Sequence, residues 1–110
     1  MYGRRFGAKY GNTKVNVDGV PFDSKREAAR WRELRLLERA GEISDLRRQV
    51  RYELVPKLPG ERPVDYIADF VYRNKDGNEV VEDVKGVRTQ AYVIKRKLML
   101  WRHGIRIREV

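Results

Sequence analysis

The sequence predicts an α/β domain in which helices flank a central mixed β-sheet. Two segments with apolar residues at helical spacing, 24–40 and 90–103, predict helices. Residues 50–56, 64–73 and 79–86 are typical of strands, with apolar side chains that alternate or fill both faces. The order hairpin, helix, three strands, helix and strand favours one sheet covered by helices.

The length of 110 residues is that of one domain. Residues 1–12, MYGRRFGAKYGN, have no periodicity, and we predict a flexible basic arm followed by a single folded domain at 13–110. Arg4, Arg5 and Lys9 in this arm are suited to contact DNA phosphates.

The charge balance predicts a nucleic-acid partner. Lys and Arg number 25 against 16 Asp and Glu, giving a net charge of +9, and such a domain attracts polyanions by counterion release. The absence of cysteine and the single histidine, His103, exclude thiolate zinc sites, cysteine nucleophiles and histidine-rich metal centres. No apolar run approaches the about 18 residues of a membrane span and no signal-peptide pattern is present, so we expect a cytoplasmic protein with no membrane partner.

Local signals set the boundaries of the predicted elements. Asp18-Gly19 predicts the turn of a short hairpin. Ser24 and Gly41 are a start and a stop signal for the first helix, and Gly104 is a stop signal for the second. The segment 74–78, NKDGN, predicts a turn between antiparallel strands, and IRIREV closes the chain as a short strand.

In the strand at 64–73, apolar residues occupy both faces. Alternation places Asp65 and Asp69 on the face of Ile67 and Val71. The other face is predicted to hold Tyr66, Ala68, Phe70 and Tyr72.

Charged residues converge around the stretch VVEDVKG. Alternation puts Asp83 and Lys85 on one strand face and turns Glu82 to the other. This predicts that Glu82 is not part of the site and that its replacement has only a mild effect on activity. Reflection about the 74–78 turn places Asp69 roughly opposite residues 83–85. Glu27, on the apolar stripe of the first helix, can reach the same patch.

Carboxylates that converge in a half-buried place repel one another and are costly to desolvate. A hard divalent cation resolves this, and oxygen-only ligands select Mg²⁺, with Mn²⁺ able to substitute. Lys85 can orient a water and offset charge on a phosphorane. A metal, a lysine and a basic surface together indicate phosphodiester hydrolysis.

Other interpretations of these residues remain open. Glu27 lies three residues after Ser24, which fits a capping box. Asp69 could face an arginine, and Asp83 with Lys85 could be a solvated ion pair. Asp65 could be the second acid, although it lies about 13 Å from Asp69 along a strand.

The ordered text FDSKREAARW, YIADF and EDVKG resembles the PD-(D/E)XK, or restriction-endonuclease-like, nuclease superfamily. Glu27 matches its helix glutamate, Asp69 its first acid and Asp83-Val84-Lys85 its (D/E)-X-K. Residues 20–108 as a whole resemble small phage and prophage proteins assigned to that superfamily. One departure is Ala68, which stands where the superfamily label has proline.

The resemblance implies a restriction-endonuclease-like fold and an Mg²⁺-dependent DNA endonuclease that resembles Holliday-junction resolvases, of phage or prophage origin. Asp69, Asp83 and the Val84 carbonyl would hold the metal, Glu27 would be a further ligand and Lys85 would handle the attacking water. Gln49 would lie near the site, and a phage-encoded protein would act in the host cytoplasm. The resemblance also implies DNA-backbone contacts by four residues of the second helix region: Thr89, Tyr92, Lys95 and Lys97.

Symmetric cutting of two strands requires two active sites, so a homodimer is expected. Leu36, Ile94 and Trp101 are candidates for its apolar surface, although all three could be core. Two other hypotheses compete with a nuclease acting on branched DNA. One is a non-catalytic DNA-binding accessory protein in recombination or packaging, and the other is a resolvase of unrelated fold.

Overall fold

The protein, described by a computed structural model over residues 14–85 and 87–110, has the predicted α/β organisation. Strands β3, β4, β5 and β6 form the central mixed sheet in that order, antiparallel except for the parallel pair β5–β6, and β1 and β2 form a separate hairpin. The predicted basic arm, with Arg4, Arg5 and Lys9, lies outside the described residues. The strands are β1 Val15–Val17, β2 Val20–Phe22, β3 Ser44–Val55, β4 Val64–Arg73, β5 Glu79–Asp83 and β6 Arg108–Glu109, and the helices are α1 Lys25–Arg39 and α2 Gln90–His103.

The predicted helix boundaries are confirmed, because each is set by local chemistry. The Ser24 hydroxyl accepts a hydrogen bond from the Glu27 backbone N–H at 3.1 Å and so caps α1. The Thr89 hydroxyl caps α2 in the same way through the Tyr92 N–H. Gly104 follows α2 with a φ of 68°, a left-handed conformation that terminates helices.

Two apolar clusters lie on opposite faces of the central sheet. The cluster under α1 contains Trp31, Leu34 and Phe70, and Trp31 stacks on Phe70 with ring centroids 5.9 Å apart. The cluster under α2 contains Met99 and Val81. Each helix therefore has its own core, and the sheet separates them.

The side chains of strand β4 switch from one face of the sheet to the other at Asp69, so the regular alternation predicted for this strand is wrong. We call this switch the exchange of faces. Tyr66 and Ala68 pack in the α2 cluster, whereas Phe70 and Tyr72 pack in the α1 cluster, although the sequence assigned all four to one face. Asp69, between the two pairs, belongs to neither cluster. The strand therefore serves both helices, and Asp69 lies at the point of exchange.

Strand β3 makes the same exchange beside it. Leu46 packs on the α1 cluster and Val50 on the α2 cluster. Between them Gln49 has a φ of 55°, a left-handed conformation uncommon for a residue other than glycine. The pairing of Arg48 with Phe70 and of Val50 with Ala68 puts Gln49 opposite Asp69.

One predicted boundary is corrected, and one alternative that the sequence left open is excluded. Strand β3 begins at Ser44 rather than near residue 50, because Asp45, with a φ of 54°, and a register shift between Ser44 and Arg47 break its alternation. Leu36, Ile94 and Trp101 are not core, since they are 63%, 51% and 80% exposed. In the described part of the chain, no helix has the length and apolar character needed to cross a membrane.

Candidate active site

One open cleft of about 390 Å³ brings together the predicted catalytic residues from three parts of the chain. Glu27 enters it from α1, Asp69 from β4, and Asp83, Val84 and Lys85 from the end of β5. These residues are far apart in sequence, and the pairing of β4 with β5 is what joins them. The structure thus gathers the acids and the lysine on one patch, as the strand pattern predicted.

Asp69 lies just beyond the last paired residues of β4 and β5, Phe70 and Glu82, so its side chain faces the Asp83–Lys85 segment. Its Oδ2 accepts a hydrogen bond from the Val84 backbone N–H at 2.8 Å. Burial, and to a lesser extent the nearby carboxylates of Asp83 and Glu27, raise the pKa of Asp69 to about 7 against the opposing effects of the Val84 N–H and Lys85. A cation beside Asp69 would offset both the cost of burying its charge and the repulsion from the two neighbouring carboxylates.

Asp83 is buried, and its two carboxylate oxygens have different surroundings. Oδ2 accepts a hydrogen bond from the Tyr66 hydroxyl at 2.6 Å. Oδ1 is 3.1 Å from the Lys85 ammonium, an ion-pair distance, but the orientation is not that of a hydrogen bond and Oδ1 accepts none among the described residues. The Lys85 ammonium compensates the charge at Oδ1, and a ligand could occupy the hydrogen-bonding position that stays open there.

Tyr66 was not predicted as a site residue. Alternation along β4 put it on the face opposite Asp69, and only the exchange of faces at Asp69 turns it toward Asp83. The signal that the sequence does offer is general, namely that a buried aspartate needs a donor. Tyr66 is one of several tyrosines that could have supplied it.

Lys85 is held by an aromatic ring as well as by Asp83. Its Nζ is 4.1 Å from the centroid of the Tyr92 ring, a cation–π contact. The Tyr92 hydroxyl donates to Glu109 Oε2 at 2.6 Å. Hydrogen bonds from Arg88, Tyr92 and Arg96 lower the pKa of Glu109 to about 2, so Glu109 is a permanent anion that anchors the ring.

The last residues of the chain also fix the segment that carries Asp83 and Lys85. The Val110 N–H donates to the Asp83 carbonyl at 3.0 Å, and the Lys85 N–H donates to the Val110 carbonyl at 3.3 Å. These bonds continue the parallel pairing of β5 with β6 beyond the end of β5. The position of Lys85 is therefore set by backbone as well as by side chains.

Glu27 faces the cleft instead of closing a capping box. Ser24 caps the helix by accepting from the Glu27 N–H, but the Glu27 carboxylate bonds to no backbone N–H among the described residues. Its partner is the Gln49 side-chain amide, with Nε2 3.5 Å from Oε1. Burial raises the pKa of Glu27, and Asp23 and Asp83 add to the effect while Arg48 opposes it.

The four residues of the α2 region that the resemblance implies for DNA contact lie in three different environments. Thr89 and Lys95 line the cleft. Tyr92 also lines it but is buried, and its ring and hydroxyl are engaged by Lys85 and Glu109. Lys97 lines a different groove, with Arg96, Leu100 and Arg106.

Asp65, the alternative second acid, lies outside the cleft. Its Oδ2 is 3.7 Å from Arg51 Nε, a cross-strand ion pair at the other end of β4. Asp69 is thus the acid of β4 that faces Asp83.

Glu82 points away from the cleft as predicted, but it is not a solvated residue. It is fully buried, and its carboxylate accepts hydrogen bonds from Arg30 Nε at 2.8 Å and Nη2 at 2.7 Å, as well as one from the Tyr72 hydroxyl. The expectation that its replacement has a mild effect on cutting stays a prediction, but its burial and these hydrogen bonds indicate a role in stability. Removing it would leave the partly buried Arg30 guanidinium with only the exposed Glu33 carboxylate, 3.8 Å away, as an ion-pair partner.

The site fits an oxygen-binding divalent cation. The described residues contain no group of three His, Cys, Asp or Glu side chains placed to hold an ion alone. Asp69 and Asp83 would therefore share the cation with the Val84 carbonyl, waters and substrate phosphate. Mg²⁺ is commonly bound in this way, by one or two carboxylates plus water and phosphate oxygens. The undonated Oδ1 of Asp83 and the raised pKa of Asp69 are the features that a cation would satisfy.

Comparison with known proteins gives a family but no function. The family model described as "Protein of unknown function (DUF1064)" matches residues 7–108, nearly the whole chain. No curated protein and no solved structure matches the sequence or the fold. The protein therefore belongs to the DUF1064 family.

Proposed function

We propose that this protein is a metal-dependent DNA endonuclease that hydrolyses phosphodiester bonds, with branched recombination intermediates as its substrates. The observation that carries the proposal is the cleft in which Asp69, Asp83 and Lys85 meet, with Glu27 at its wall. A domain with a net charge of +9 gains nothing for DNA binding from acids in a cleft, and such acids are useful where a cation is bound beside phosphate.

The residues have distinct roles in this proposal. Asp69 and Asp83 hold the metal, which supplies a polarised water and neutralises charge that develops on the phosphate. Lys85, fixed between Asp83 and the Tyr92 ring, donates to the attacking water or to a phosphate oxygen. Glu27 accepts a hydrogen bond from that water. Thr89 and Lys95 contact the DNA backbone at the edge of the cleft.

Tyr66 is a positioning residue in this scheme. Its hydroxyl occupies Oδ2 of Asp83 and leaves Oδ1 for the cation. Burial and the Asp83 hydrogen bond raise the pKa of Tyr66, so it stays a neutral donor at any working pH.

Cutting both strands of a symmetric substrate requires a second active site, and we include a homodimer acting in the cytoplasm in the proposal. The exposed apolar residues Leu36, Ile94 and Trp101 are available for its interface. Sedimentation of the purified protein with and without a four-way junction tests the assembly separately from cutting.

The test is a panel of labelled duplex, single-stranded, flap and four-way-junction DNA incubated with Mg²⁺ or Mn²⁺. We expect metal-dependent cutting that is abolished by Asp83→Ala and by Lys85→Ala. Asp65→Ala is the matched control, since Asp65 is on the same sheet but outside the cleft. Salt-sensitive DNA binding without turnover on any substrate would favour the non-catalytic accessory protein instead. Cutting that survives both replacements would refute the assigned roles.

A further inference from the structure

We infer that the arginine face of α1, defined as Arg32, Arg35 and Arg39, binds the phosphate backbone of DNA away from the cleft. The inference rests on the proposed function, because it takes DNA as the substrate. It adds a second contact region, which the nuclease chemistry itself does not require.

The three arginines are spaced by three and four residues, so they lie on one side of the helix. They line a hollow of about 240 Å³ together with Val17 and Leu36. Arg32 and Arg39 are exposed, and none of the ion pairs among the described residues involves any of the three. Asp18 also lines the hollow, which still carries an excess of positive charge.

Trp31 also lines the hollow. Trp31 is 8% exposed, and its Nε1 has no hydrogen-bond partner in the described part of the chain. The Arg35 guanidinium lies over the indole ring, 5.5 Å from its centroid. A guanidinium carries a positive charge and is a donor only. The hollow therefore suits a ligand that is anionic and rich in acceptors, such as phosphate.

The position of this face relative to the cleft favours the backbone of the same DNA molecule as the occupant. Glu27, in the first turn of α1, lines the cleft, and Arg39 lies twelve residues further, about 18 Å along the helix at about 1.5 Å per residue. That distance corresponds to about five base pairs of duplex. DNA held in the cleft can therefore reach the arginine face with a neighbouring arm, several base pairs from the bond that is cut.

The test is the salt dependence of four-way-junction binding, measured by fluorescence anisotropy in EDTA so that nothing is cut. Each lost phosphate contact reduces the slope of log K against log salt by about 0.9. For Arg32→Gln/Arg39→Gln we expect a reduction of about 1.8, which means that wild type loses about twelvefold more affinity than the variant between 50 and 200 mM salt. The control is Lys57→Gln/Arg62→Gln, which removes the same charge from the exposed 56–63 loop and should leave the slope unchanged.

Arg35→Gln provides an independent variant, because it removes the guanidinium over the indole ring and leaves the Trp31–Phe70 stack in place. We expect weaker binding with the fold retained, as checked by circular dichroism. A slope in Arg32→Gln/Arg39→Gln equal to that of wild type, or an equal loss in the control, overturns this inference and leaves the proposed function intact. Failure of the wild-type protein to bind any DNA overturns both, and binding without cutting overturns only the nuclease.

Discussion

Replacing Asp69 with asparagine should stabilise the metal-free protein at pH 8 while abolishing its proposed activity. The Asp69 carboxylate is partly buried near two other acids, and its pKa rises from 3.8 to about 7. Asparagine keeps an oxygen that can accept the Val84 N–H and carries no charge. The substitution therefore removes the cost of ionisation and retains the contact.

The sign and size follow from proton linkage. Between pH 3.8 and about 7 the folded state binds one more proton than the unfolded state at Asp69, so the free energy of unfolding falls as pH rises through this window. A difference of about three pKa units corresponds to about 4 kcal/mol at about 1.4 kcal/mol per unit. Because Asp69 retains contact with solvent, we expect about half of this, ~2 kcal/mol, above pH 7.

Urea unfolding in EDTA at pH 5 and pH 8 measures the effect. With a slope of about 2 kcal/mol per M, the midpoint of Asp69→Asn should exceed that of wild type by about 1 M at pH 8 and by clearly less at pH 5. Asp65→Asn is the control on the same strand. A gain that does not change with pH, or an equal gain in the control, would refute the reasoning.

Three further outcomes are expected. Glu82→Ala should lower the free energy of unfolding by about 3–5 kcal/mol in urea titrations, because the partly buried Arg30 guanidinium keeps only the exposed Glu33 carboxylate, 3.8 Å away, as a partner. Glu33→Ala removes this weaker, exposed contact and should change the free energy of unfolding by less than about 1 kcal/mol. Tyr66→Phe removes a hydrogen bond to Asp83 that is worth about 1.5–3 kcal/mol. It should lower kcat tenfold or more with KM nearly unchanged, and a rise in KM alone would contradict the positioning role of Tyr66. Mg²⁺ at one hundred times its Kd should raise the free energy of unfolding of wild type by about 2.7 kcal/mol at pH 8 and should not raise that of Asp83→Asn. An equal increase in both proteins would show that the cation binds elsewhere.

Local signals made much of the fold predictable. The helix ends follow from Ser24, Thr89 and Gly104, whose effects extend over a few residues. The opposite orientations of Asp83 and Glu82 required only two-residue alternation, and the structure agrees with them.

What could not be predicted depends on contacts between distant segments. The left-handed backbone at Gln49 and the exchange of faces at Asp69 cannot be recognised from the order of apolar and polar residues in either strand. The Arg30–Glu82 pair joins residues 52 positions apart. Alternation along β5 indicated only that Glu82 lies outside the site and gave no sign of its pairing with Arg30.

The exchange of faces has a consequence for transplanting the site into another scaffold. A regular pair of strands would present Tyr66 and Asp83 to different sides, so copying the acids and the lysine onto ideal strands would separate Asp83 from its donor. The graft has to include the irregular step, with Gln49 in its left-handed conformation opposite Asp69. In a designed host, glycine or asparagine at that position would provide the step at lower conformational cost.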